Sequence, residues 1–150
     1  MAKQQLRITA LLFLGIFFSG AMTVNAQTGC FNTPLDGTWA DTGAVKNGLS
    51  RLLIVRECTQ EESEDGLIVP GSRWYVRAWS KCYPRHCAWG RVRAKIGPQG
   101  NLRASLPTYS ADRFLSVKYA GGAIQVHLIV DYHDKRRRDR DEKVRLTRQD

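Results

Sequence analysis

The sequence predicts an all-β domain: an antiparallel meander of about eight short strands, closed or partly closed into a small barrel, with a β-sandwich as the alternative. Three observations carry this. Beyond residue 26 no stretch keeps a helical period of useful length. Short runs of alternating apolar and polar residues instead follow one another, separated by turn residues such as Gly97-Pro98-Gln99-Gly100-Asn101 and Gly121-Gly122. Four cysteines, an even count in a small chain, predict disulfide staples. Closure is favoured because it removes the unpaired edges of an open sheet.

The elements follow in order. Residues 1–26 read as a secretory signal peptide: Lys3 and Arg7 precede the apolar run Ile8 to Phe18, and Val24-Asn25-Ala26 offers small residues for cleavage. The run is shorter than the ~20 residues that span a bilayer. The expected product is residues 27–150, a single secreted or periplasmic domain. The whole chain carries +9, and +7 remains without the two basic residues of the signal segment. Such charge favours association with acidic polymers or anionic headgroups.

Asp36 to Thr42 predicts the first strand, carrying Trp39, and Leu49 to Cys58 the second. The acidic stretch TQEESEDG that follows reads as a loop. Arg73 to Lys81 and Ala88 to Ile96 flank the segment Cys82 to Cys87 as the third and fourth strands. Leu102 to Leu106, Phe114 to Tyr119, Ala123 to His133 and Lys143 to Thr147 complete the set, with the charged run Asp134 to Glu142 as a solvated loop. Four cysteines allow three connectivities. The closeness of Cys82 and Cys87 favours their pairing, as the clip of a hairpin tip, which leaves Cys30 for Cys58.

Side chains alternate across a strand, so parity sorts the third and fourth strands into two faces. Trp74, Val76, Ala78 and Ser80, with Ala88, Gly90, Val92, Ala94 and Ile96, are expected inside. The other class, Arg73, Tyr75, Arg77, Trp79, Trp89, Arg91 and Arg93, is expected outside and is the candidate binding surface. Arginine stacked on aromatic rings stabilises a sheet by roughly 0.5–1 kcal/mol per exposed contact, and that alone explains such a face. The same residues suit a polyanion, with cations for attraction and rings for stacking.

Other chemistries find less footing. Cys82, His86 and Cys87 lack the second close ligand pair of a structural zinc site. His127, Asp131 and His133 share one side of the seventh strand, but His127 lies three same-face steps of about 7 Å from His133. No metal or cofactor is expected. There is no glycine-flanked serine elbow and no phosphate-cradling glycine loop. Nothing local selects an acid/base pair from Asp36, Asp41, Glu57 or Asp131, so a non-enzymatic role is expected.

Trp79, Lys81, Cys82, Pro84, Cys87, Trp89 and Gly90 spell W-x-K-C-x-P-x-x-C-x-W-G. Together with Gly37-Thr38-Trp39, this resembles an uncharacterised group of small secreted bacterial domains, a resemblance that implies a single domain and no particular activity. Gly37 and Trp39 on the first strand of an eight-stranded meander also look like the calycin architecture of lipocalins and avidins. That likeness implies a tryptophan packed across the barrel floor. Three functional expectations follow. The first is a secreted or periplasmic binding module for an anionic polymer or envelope component. The second is a calycin-like carrier of a small apolar ligand near Trp39 and Trp74. A structural or interaction role without separable activity is the third.

Overall fold

Strict alternation of buried and exposed residues, clearest in Leu102–Pro107, wraps the sheet around an apolar interior. The computed structural model describes residues 33–149, and the expected signal peptide and Cys30 lie outside them. Eight strands run β1 (Gly37–Ala40), β2 (Leu49–Glu62), β3 (Ile68–Lys81), β4 (His86–Ile96), β5 (Leu102–Pro107), β6 (Ala111–Ala120), β7 (Ala123–Tyr132) and β8 (Arg140–Gln149). Each pairs antiparallel with the next, and β1 pairs with β8 to close the barrel. The described residues contain no helix.

The interior is filled by side chains from every strand, among them Trp39, Leu52, Ile54, Val76, Leu102, Leu106, Val117, Ile124, Val126, Leu128 and Leu146, all fully buried. Closure depends on β1, the shortest strand, whose ladder joins Trp39 to Leu52 on one side and to Arg148 on the other. The Trp39 indole Nε1–H donates to the Leu35 carbonyl at 2.9 Å, and the Tyr119 ring meets it edge-on. Gly37 explains the Gly-x-Trp spacing. A Cβ there would come within 2.7 Å of Arg148 Nη1, and the Arg148 guanidinium lies 4.6 Å from the Trp39 ring centroid while donating to the Pro34 carbonyl. The φ of +129° at Gly37 excludes other residues independently.

Boundaries of β2, β3, β6 and β8 depart from expectation. The acidic stretch is not a loop: Thr59 to Glu62 continue β2 and pair with Gly71 to Ile68 of β3. Pairing needs only backbone, and this ribbon extends past the barrel, where both its faces meet water and carboxylates cost nothing to place. The charged run 134–142 is likewise partly strand, since β8 starts at Arg140. β6 starts at Ala111, three residues before the expected Phe114. Ile96, expected inside, is half exposed at the end of β4.

Cys82 and Cys87 form a disulfide across the β3–β4 turn, with Cα atoms 5.6 Å apart. Cys58 is also disulfide-bonded. A second tie holds this turn down: the buried Ser50 hydroxyl donates to the Trp79 carbonyl at 3.1 Å and so accepts from His86 Nδ1–H at 2.9 Å. Replacing Cys82 and Cys87 by serine removes the closure of a very short loop. We expect a loss of about 2 kcal/mol, read as a lower denaturant midpoint at an unchanged slope.

Candidate functional site

The expected basic and aromatic face exists for six of its seven residues. Arg73, Tyr75, Arg77 and Trp79 of β3 share the outer wall with Arg91 and Arg93 of β4, through the pairs Tyr75–Arg93 and Arg77–Arg91. These groups largely satisfy one another. The Arg91 guanidinium lies 4.1 Å from the Tyr75 ring centroid and pairs with Glu57, while Arg77 and Arg51 lie 5.0 and 6.0 Å from that of Trp79.

Trp89 is the correction. It lies in the barrel interior, 9% exposed, with the Arg113 guanidinium 4.6 Å from its ring centroid. The cause is a β-bulge: Ala78 pairs with Gly90 and Trp79 with Ala88, so Trp89 is an extra residue in β4 and turns inward. Gly90 carries the bend with φ +108°. Arg113 is held by hydrogen bonds to Thr108 Oγ1 and the Ala111 carbonyl, and its partial burial draws its pKa below the ordinary guanidinium value.

A different set of cations has no ion-pair partner among the described residues. Lys95 of β4 pairs with Arg103 of β5, Arg103 with Ser116 of β6, Ser116 with His127 of β7, and His127 with Lys143 of β8. This outward row crosses five strands, about 19 Å at strand spacings of about 4.8 Å. On one side runs the row Lys118, Gln125, Arg145, and on the other Ser105, Phe114, Ile129. The rows line two open hollows of about 790 and 520 Å³ that share Gln99, Asn101, Ser116 and His127, and so form one groove. Among the described residues, none of Arg93, Lys95, Arg103, Lys118, Lys143 and Arg145 has an ion-pair partner.

Two side chains shape the groove. Asn101, buried under the β4–β5 turn, donates to Ser116 Oγ and so holds β5 and β6 together at the junction of the hollows. Gly97 leaves room beside it, for a Cβ there would lie 2.7 Å from Asn101 Oδ1 and 2.8 Å from Arg103 Nε. Phe114 and Ile129 give the floor an apolar strip, each more than a third exposed. Parity within each strand marks these residues as outward, but only the register between strands brings them into line. Arg93 alone belongs to both the expected surface and the groove.

The histidines take separate partners. His127 meets Asp141 at 2.7 Å, and Lys135 lies 3.9 Å from Asp131. His133 Nδ1–H donates to the Tyr109 carbonyl at 3.0 Å and its other nitrogen faces Asp112; these contacts, the carbonyl foremost, raise its pKa above the ordinary histidine value. Ser50 is 1% exposed beside His86, so its hydroxyl is a tie within the fold and is closed to a substrate. No protein family, curated protein or solved structure matches the chain.

Proposed function

We propose that this protein is a secreted or periplasmic, non-enzymatic binding module that holds an anionic polymer or envelope component in the groove across β4 to β8. The observation that carries this reading is the set of six cations that line the groove without an ion-pair partner among the described residues. A protein gains nothing in stability from gathering six like charges around one groove, and a polyanion converts their repulsion into attraction while releasing its own counterions. The exposed Phe114 ring adds a flat apolar surface for a base or sugar face.

The surface expected from parity contributes less. Arg77 and Arg91 are committed to Trp79, Tyr75 and Glu57, and breaking those contacts would offset what a ligand returns. The carrier reading draws no support from the interior, where Trp39, Leu52, Val76, Leu102 and Leu128 occupy the space that a small apolar ligand would need.

Chromatography on heparin-type resin tests the proposal. The protein should be retained, and elution should depend steeply on salt. Lys95→Ala/Arg103→Ala should elute at clearly lower salt, whereas Arg77→Ala/Arg91→Ala should elute close to the parent. The reverse order of the two variants would return the site to the β3–β4 face, and absence of retention for the parent would end the polymer reading.

A further inference from the structure

The β2–β3 ribbon carries the other concentration of uncompensated charge among the described residues. It leaves the barrel beyond Cys58 and Ser72 and continues as a two-stranded hairpin to the pair Glu62–Ile68, about 15 Å with its turn at about 3.3 Å per residue. Among the described residues β1 reaches only to Ile54 of β2. From Glu57 to Val69 the chain has five carboxylates and no basic residue. Among them only Glu57 has an ion-pair partner within the described residues. Leu67, Ile68 and Val69 are exposed by 65, 62 and 41%.

Apolar residues of this size exposed together at the tip of a projecting element mark an interaction surface. Their acidic surroundings specify the partner as a basic surface with an apolar strip. The groove has that character: Lys95, Arg103, Lys118 and Lys143 beside Phe114 and Ile129. Alternating strand directions put the β2–β3, β4–β5 and β6–β7 turns at one end of the barrel. The hairpin and the β4–β5 turn that overhangs the groove are therefore at the same end. Two copies related by a two-fold axis, facing each other by that end, can each lay a hairpin along the other's wall, which satisfies both contacts at once.

We propose that the acidic β2–β3 hairpin is an intermolecular arm that docks in the basic groove of a second copy, forming a reciprocal dimer. Docking pairs the arm's carboxylates with the groove's cations and covers Leu67 and Ile68 with Phe114 and Ile129. A polyanion and the arm then compete for the same cations, so the dimer is the closed form of the binding site. The inference shares the groove with the polymer reading but does not depend on the polymer.

Sedimentation of the processed chain over a range of concentrations tests it, using an arm variant, Glu61→Lys/Glu62→Lys/Glu64→Lys, and a groove variant, Lys95→Glu/Arg103→Glu/Lys143→Glu. The parent should show a monomer–dimer equilibrium, and each variant alone should associate at least about a hundredfold more weakly, as facing like charges require. An equal mixture of the two should restore the dimer, because the reversed arm meets the reversed groove and the native arm meets the native groove. Restoration also shows that both variants are folded. A milder variant, Leu67→Ser/Ile68→Ser, leaves all charges in place and should be monomeric too. A parent that is monomeric throughout, a mixture of folded variants that stays monomeric, or a serine variant that dimerises like the parent overturns the inference. A monomeric parent still retained on the resin removes the dimer and leaves the polymer reading intact; a dimeric parent whose monomeric serine variant, with the groove open, is not retained does the opposite.

Discussion

Replacing Trp89 with alanine is expected to destabilise the fold by about 3 kcal/mol or more, the usual cost of emptying a buried aromatic site, and to leave retention on polyanionic resin unchanged. The indole is 9% exposed and packs in the main core cluster with Leu106 and Tyr132. Its loss leaves a cavity and also strips the half-buried Arg113 of the ring that faces it at 4.6 Å. In a domain of this size the melting temperature should fall by about 10 °C. Trp79→Ala is the natural comparison, since Trp79 sits on the outer wall between Arg51 and Arg77 and its loss should cost about 1 kcal/mol. Calorimetry and a denaturant titration on both variants decide the matter. A Trp89→Ala protein that melts with the parent but elutes early would put the indole back on the binding surface.

That contrast locates where reading the chain by alternation works and where it fails. Strict parity holds along β5 and β7, so Leu102, Leu106, Ile124, Val126, Leu128, Val130 and Tyr132 are legible as core from the residues alone. It also holds in β3, where Trp74, Val76 and Ala78 point inward as expected. It fails in β4 because one inserted residue reverses every side chain on one side of the insertion. The sign of that insertion is Gly90, a glycine within a strand, which often marks a bulge. The Trp-Gly pair that closes the W-x-K-C-x-P-x-x-C-x-W-G pattern is therefore a structural device: glycine takes the positive φ and tryptophan fills the interior.

Two other features escape the sequence for different reasons. The stretch from Thr59 to Glu62 lacks any apolar alternation, because a ribbon outside the barrel has no buried face to encode. Its strand character comes from its partner, Ile68 to Gly71, and from the turn in which Gly66 N–H and Ser63 N–H are bonded at 2.9 and 2.8 Å. The groove is a property of register. Lys95, Arg103, Lys143 and Arg145 are spread over fifty residues of chain, and their alignment depends on strand offsets that tight turns such as Gly121-Gly122 set. A positive φ at both glycines gives that hairpin the twist its strands require.

The largest effect on binding should come from reversing charge along the whole row. For a flexible polyanion that neutralises six cations, the logarithm of affinity should fall with the logarithm of salt with a slope of about −4 to −5, so affinity drops about a thousandfold between 50 and 200 mM salt. Lys95→Glu/Arg103→Glu/Lys143→Glu/Arg145→Glu leaves only Arg93 and Lys118 of the six. Its slope should shrink to about −1.5 or less, because two cations release correspondingly fewer counterions. The four positions are exposed and make no ion pair among the described residues, so the fold should persist with little change in melting temperature. The slope separates this site from a diffuse attraction to the net positive charge. A diffuse interaction would weaken with total charge, and Arg136→Glu/Arg137→Glu/Arg138→Glu/Arg85→Glu, the same change in net charge at the opposite end of the barrel, would have the same effect. A site in the groove predicts that this second variant keeps most of the parent's slope. Titrations of both proteins with one polymer at four or five salt concentrations give the two slopes, and equal slopes would overturn the assignment of binding to the groove.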